Sequence, residues 1–253
     1  MNNIEYSFLI TTFAGLSTML GAILIFFKFK NTSEVICSSL AFASGVMFTV
    51  SFIDLIPSSI DSLLQKYYLF PAMLICIIFI IIGIIISILI SKYIPDISSK
   101  DINNNGLYKV GIISMIAIIL HNLPEGIATF MTSTKNIQLG LSLAIAITLH
   151  NIPEGISISI PIYYSTKSKF KALLYTFISG ISELLGAIIA YLFLAPFMND
   201  FIMSVLLAII AGIMIAISMY ELIPASLKYK DTIKILKYFI IGCIFMIICH
   251  LFV

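Results

Sequence analysis

Eight stretches of this chain are long and apolar enough to cross a bilayer, and little is left over. They fall at 6–27, 36–57, 69–91, 110–131, 138–161, 172–195, 202–224 and 236–253. Each is near the roughly 20 residues that a helix needs to span the hydrocarbon. In lipid every backbone N–H and C=O must be satisfied within the protein, so only helices or a closed barrel can span. The alternation of a barrel strand is absent. The expected fold is an all-α polytopic membrane protein with eight transmembrane helices. Of the 253 residues, 60% are hydrophobic and 10% charged, which leaves no room for a soluble domain. The chain reads as one transmembrane domain, 1–253. The longest connection, 92–109, is polar and is expected to be a flexible cytoplasmic loop. The first residues, MNNIEYSFLI, have neither a basic region nor a cleavage site and lead into the first span rather than form a signal peptide.

Orientation follows from lysine, because the chain has no arginine. Lys28 and Lys30 follow the first span; Lys92, Lys100 and Lys109 the third; Lys167, Lys169 and Lys171 the fifth; Lys228, Lys230, Lys234 and Lys237 the seventh. Only Lys66 and Lys135 lie on the other side. The positive-inside rule then puts both termini outside the cytoplasm and makes this a multi-pass protein of the cytoplasmic (inner) membrane. A net charge of +2 gives no support to nucleic-acid binding. Cys37, Cys76, Cys243 and Cys249 all lie in apolar runs, without a CxxC pair, and read as small buried hydrophobes.

The chain repeats itself. SGVMFTVSFIDLIPSS at 44–59 aligns with AGIMIAISMYELIPAS at 211–226, pairing Asp54 with Glu221 and Leu55-Ile56-Pro57 with Leu222-Ile223-Pro224. HNLPEG at 121–126 aligns with HNIPEG at 150–155. The second span runs outward and the seventh inward; the fourth and fifth are likewise opposed. The expectation is an inverted repeat relating spans 1–3 to 6–8 and 4 to 5, as in transporters whose binding groups lie near the midplane.

The HNxPEG pair carries the chemistry. His121 and Glu125 are four residues apart and share a helix face, with Asn122 on the same broad side; His150, Asn151 and Glu154 repeat the pattern. Glu183 lies near the centre of the sixth span, level with both histidines. Ionisable groups at that depth cost about 2.5–3.5 kcal/mol each on insertion scales unless paired or solvated. No lysine lies within the spans near them. A divalent cation neutralises the carboxylates and also uses neutral imidazole. Histidine nitrogen with carboxylate and amide oxygen suits zinc, ferrous iron, manganese, cobalt or cadmium. Missing thiolates argue against cuprous copper, and imidazole against magnesium and calcium. His121, Asn122, Glu125, His150, Asn151, Glu154 and Glu183 are the candidate metal ligands, enough for one or two ions. Pro124 and Pro153 free the carbonyls of Leu120 and Leu149, which suits a helix lining a cavity. Asp54 and Asp61 are read as an outer cation funnel and Glu221 as part of an inner exit; Met47 and Met214 lie on the same helices, where they either gate the path or, the favoured reading, pack in the core. No nucleotide-binding motif is present, so no ATP is expected. An intramembrane metal hydrolase would need an HExxH-like pair, and none occurs. The chain is read as a carrier and not an enzyme, its metal being cargo rather than cofactor.

At these residues the sequence resembles the ZIP family of divalent-metal transporters, in its bacterial ZupT-like branch. The likeness extends over essentially the whole chain and rests most on the doubled HNxPEG and on Ser179-Gly-x-x-Glu183. It implies uptake of divalent metal into the cytoplasm. It also implies one metal position at His121, Glu125, His150 and Glu154 with Asp54 near, and a second at Asn122, Glu125, Asn151, Glu154 and Glu183. Met47, Asp61, Met214, Tyr220 and Glu221 fall where the family lines its entrance and exit. Some members have histidine where this chain has Tyr220. Many eukaryotic members have a histidine-rich loop between the third and fourth spans; 92–109 contains no histidine. The resemblance further implies an elevator-like carrier, with spans 1, 4, 5 and 6 moving against 2, 3, 7 and 8, often as a homodimer.

Overall fold

The computed structural model describes residues 3–93, 105–194, 199–229 and 232–251, and these are helical apart from short connections. Among the described residues, eight helices are long and apolar enough to cross a membrane: α1 (Asn3–Phe26), α2 (Thr32–Leu64), α3 (Leu69–Tyr93), α4 (Gly106–Lys135), α5 (Ile137–Thr166), α6 (Lys169–Phe193), α7 (Phe201–Leu227) and α8 (Thr232–Leu251). Most run past the apolar stretches at one or both ends. Hydropathy registers only the part that meets lipid, whereas a helix continues until a cap stops it. Asn31, Asn136, Ser168 and Asn199 mark four starts, each accepting a hydrogen bond from a first-turn N–H. Of the connection expected at 92–109, the flanking residues are helical, and 94–104 lie outside the described residues.

Asp61 needs a correction at this level. The apolar run suggests that it lies just beyond the second span, but it sits within α2, one turn before Leu64. The stretch Ser59 to Leu64 is amphipathic: Ser59 and Leu63 are buried and Asp61 is exposed.

The helices sort into two bundles by their contacts. In one, α2 packs on α8 and α3 on α7, and α2 and α7 join the pairs. In the other, α1, α4, α5 and α6 contact one another. The bundles meet mainly where α2 lies against α5 and α4 against α7. Lipid supplies no hydrophobic drive between helices, so close approach at small residues matters more. A Cβ on Gly45 would strike the backbone of Phe239, and one on Gly242 that of Phe42, fixing the α2–α8 crossing. Gly83 and Gly212 do the same for α3 and α7. The outward faces of α3 and α8 carry exposed isoleucines such as Ile81, Ile85, Ile244 and Ile248.

The main apolar core runs between the bundles and includes Leu40, Met47, Ile118, Ile158, Met214 and Ile217, all wholly buried. Hydroxyl bonds tie α2 to α7 inside their bundle. Ser44 Oγ donates to the Ser218 carbonyl at 3.0 Å, and Ser59 and Ser204 donate to each other's carbonyls at 2.9 and 2.8 Å.

Both α2 and α7 widen into a π turn, at Ser51–Leu55 and Ile217–Leu222. Each ends where an N–H reaches back five residues, Ile56 to the Ser51 carbonyl and Ile223 to the Ser218 carbonyl. Pro57 and Pro224 follow. A proline ring clashes with the carbonyl four residues before it, and an extra residue in the preceding turn moves that carbonyl aside. Asp54 and Glu221 lie on these two turns.

Candidate metal site

Seven polar side chains converge within the α1/α4/α5/α6 bundle. His121, Asn122 and Glu125 come from α4, His150, Asn151 and Glu154 from α5, and Glu183 from α6, and all are buried. Two close crossings bring the helices together. Gly126 lies against the backbone of Glu183, with no room for a Cβ. Gly155 lies against the backbone of Thr18 in the same way. Each is the final residue of its HNxPEG, so the motif carries its own contact point one residue after its glutamate.

One group of atoms is arranged around Glu125. His150 Nε2 is 2.9 Å from Glu125 Oε1, and His121 Nε2 is 3.2 Å from the same oxygen. His121 Nε2 is also 3.3 Å from Glu154 Oε1. Tetrahedral coordination at about 2.0–2.2 Å separates neighbouring ligand atoms by roughly 3.4 Å. The observed separations are near that value. His121, Glu125 and His150 each offer a ligand atom, all within 4.8 Å of one another.

The second group is set by asparagine. Asn122 Nδ2 donates to the Ser179 carbonyl at 3.1 Å, and Asn151 Nδ2 donates to the Ala14 carbonyl at 3.0 Å. Each amide spends its donor on neighbouring backbone and leaves its Oδ1 without a partner. Asn151 Nδ2 also donates to Glu183 Oε2 at 3.0 Å, while Glu183 Oε1 has none. Both oxygens of Glu154, Glu125 Oε2 and the Nδ1 atoms of both histidines are likewise without hydrogen-bond partners. A buried polar atom without a partner costs about 1–3 kcal/mol, more when charged. This many unpartnered oxygens beside two imidazoles, with no lysine among them, match the donor set of a borderline cation.

The expected path residues are distributed differently. Met47 and Met214 are wholly buried in the main apolar core. Asp54 is half-buried and accepts from Ser58 Oγ at 3.3 Å; among the described residues it is not part of the histidine–glutamate group. Asp61 is exposed. Glu221 accepts a 2.5 Å hydrogen bond from Ser91 Oγ of α3. It lines a cavity of about 230 Å³ with Ser91, Lys109, Tyr220 and Lys228. Tyr220 is largely exposed. Sequence reasoning missed Ser91, Ala14 and the Ser179 carbonyl. A backbone carbonyl leaves no trace in residue identity, and Ser91 is one serine among many.

The ZIP zinc transporter family matches residues 96–250, more than half of the chain. A zinc transporter ZupT of Clostridium perfringens (strain 13 / Type A) is 38% identical, over 91% of this chain and 90% of its own length. The ZupT of Oceanobacillus iheyensis is 38% identical, over 91% of each chain, and that of Campylobacter jejuni subsp. jejuni is 39% identical, over 87% of each. Eight membrane-crossing helices, a buried histidine–carboxylate group and this similarity along nearly the whole length agree: the chain is a multi-pass membrane protein belonging to the ZIP family of transporters.

Proposed function

We propose that this protein carries divalent transition-metal ions, zinc foremost, across the membrane into the cytoplasm through the His/Asn/Glu cluster of α4, α5 and α6. The observation that carries this reading is the set of unpartnered acceptors on those three helices. The ligand chemistry extends to ferrous iron, manganese, cobalt and cadmium. One ion is assigned to His121, Glu125, His150 and Glu154. A second is assigned to Asn122, Asn151 and Glu183 with the free oxygens of Glu125 and Glu154. Asp61 and Asp54 form the outer approach, Glu221 the inner exit, and Met47 and Met214 the walls between.

All seven ligands lie in one bundle, which suits an elevator in which α1, α4, α5 and α6 move as a unit against α2, α3, α7 and α8. The inverted repeat is supported by the two π turns, each followed by proline, and by the matched glycine crossings of α2 with α8 and α7 with α3. Twelve of fourteen lysines on one side support the inward orientation of that side, with both termini outside. The whole of 1–253 is a single transport domain set in lipid, and a homodimer is the assembly assigned to it.

The test is uptake into proteoliposomes loaded with a metal-sensing dye, offering zinc, ferrous iron, manganese and cadmium separately. Flux that wild type supports and Glu125→Ala/Glu154→Ala loses is the expected result. Full flux in the double variant refutes the site.

A further inference from the structure

Buried helical hydroxyls in this protein usually bond to a backbone carbonyl. Thr11 donates to Ser7, Thr49 to Gly45, Ser51 to Met47, Thr176 to Ala172 and Ser218 to Met214, at 2.8–2.9 Å. Others reach a neighbouring helix, as Ser44 and Ser59 do. These are the usual solutions for a hydroxyl away from bulk water. Ser114, Thr129 and Ser133 on α4 and Ser179 on α6 use neither. All four are wholly buried, and their hydroxyls have no partner. Thr134, on the same helix as three of them, bonds to the Met131 carbonyl at 2.9 Å, so the local solution is open on α4. Among the described residues, every buried side-chain N or O atom without a partner lies on α4, α5 or α6.

The positions make a line. At 100° per residue, Ser114, His121, Glu125, Thr129 and Ser133 fall within an arc of about 120° on α4. From Ser114 to Ser133 the helix rises roughly 28 Å, close to the thickness of the hydrocarbon. The histidine–glutamate pair sits in the middle, about two turns from either end.

We propose that Ser114, Thr129 and Ser179 bind water, forming a buried hydrated seam inside the α1/α4/α5/α6 bundle that runs through the metal site towards both membrane faces and closes at one end where Ser133 lies against Gly140 of α5. Water fits this lining better than an ion. A hydroxyl both donates and accepts, and a cation would leave its proton unused. A metal route would need charged or imidazole ligands along it, and the stripe has them only at its centre. Anions are disfavoured by the three glutamates. The seam gives the waters stripped from an arriving divalent cation somewhere to go, and returns water to the carboxylates when the cation leaves. That role rests on the transport reading; the existence of the seam does not.

The experiment is radiolytic hydroxyl labelling of the purified, metal-free full chain in H₂¹⁸O, read by mass spectrometry. Phe130 follows Thr129 in the sequence, is buried and packs against Phe8 and Tyr191. Met246, buried in the main apolar core, serves as the dry reference. The seam predicts that Phe130 is labelled well above Met246 in wild type. In Thr129→Val/Ser133→Ala its labelling falls roughly fivefold, the factor expected for one lost buried hydrogen bond. Ser114→Ala with Ile118, wholly buried one turn away on α4, as reporter makes the same comparison on the other side of the cluster and serves if the double variant does not fold. The seam is refuted if Phe130 and Ile118, each corrected for the intrinsic reactivity of its side chain, label no faster than Met246, or if labelling persists in the variants. Metal-free labelling keeps this outcome independent of the flux test. With zinc, the double variant is expected to transport more slowly while equilibrium zinc binding stays unchanged.

Discussion

Glu154 shows how a buried residue can be set against stability. Both of its oxygens are buried without a hydrogen-bond partner, beside a histidine nitrogen at 3.3 Å. A carboxylate in that position destabilises the metal-free protein, and a bound cation reverses the effect. Glu154→Gln is therefore expected to raise the metal-free melting temperature by a few degrees, about 2–4 °C per kcal/mol for a chain of this size. It should also remove the further stabilisation that zinc gives to wild type. Thermal unfolding in detergent with and without zinc reads both effects; a lower metal-free melting temperature would count against the argument. Asn151 acts differently. Its amide is anchored on the Ala14 carbonyl and Glu183, which orients Oδ1. Asn151→Ala removes that oxygen and the hydrogen bond that orients Glu183, and should weaken zinc binding by roughly 10–100-fold or more, the lower bound being the usual effect of losing a partner that orients a metal ligand. Calorimetric titration measures it. The residue types of this cluster were legible in the doubled HNxPEG and in Ser179-Gly-x-x-Glu183. The direction of each amide was not, because it depends on a carbonyl of α1 or α6 far away in sequence.

At the scale of helices, approach distance decides which substitutions are tolerated. A Cβ on Gly126 would meet the Glu183 backbone, which has no freedom to retreat. On Gly106 the nearest atom is the mobile end of Lys228, at 2.9 Å. Gly126→Ala should therefore force α4 and α6 apart and cost about 1–3 kcal/mol, while Gly106→Ala should be nearly neutral. Thermal stability of the two purified variants makes the comparison, and equal values would reject the crossing. Helix number and approximate position were readable from the apolar runs. The π turns and the extension of α2 beyond Asp61 were not. Apolar runs register contact with lipid, whereas those features come from a proline ring and from burial of Ser59 and Leu63 against protein.

For the whole molecule, the lysine asymmetry gives a topological prediction. Lys66 and Lys169 are both exposed and lie on opposite sides by that reading. In intact cells, an impermeant thiol reagent should label Lys66→Cys and spare Lys169→Cys until the membrane is opened. The native cysteines give little background, with Cys37, Cys76 and Cys249 buried and Cys243 half-buried. The reverse labelling pattern would overturn the proposed orientation and put Asp54 and Asp61 on the cytoplasmic side.

By itself the sequence determined that this chain lies in a membrane as eight helices. It also located histidines, asparagines and glutamates near the middle of the apolar runs that form α4, α5 and α6. Both follow from local properties: the length of an apolar run, and the position of a polar residue within it. Only the tertiary structure decided that the helices sort into two bundles with the whole cluster in one. It alone oriented Asn122 and Asn151 through carbonyls of α6 and α1, and left hydroxyls along α4 without protein partners. These depend on which helix lies against which. In a chain this uniformly apolar the pattern of hydrophobicity says little about that; glycine contacts and buried hydrogen bonds between distant segments decide it.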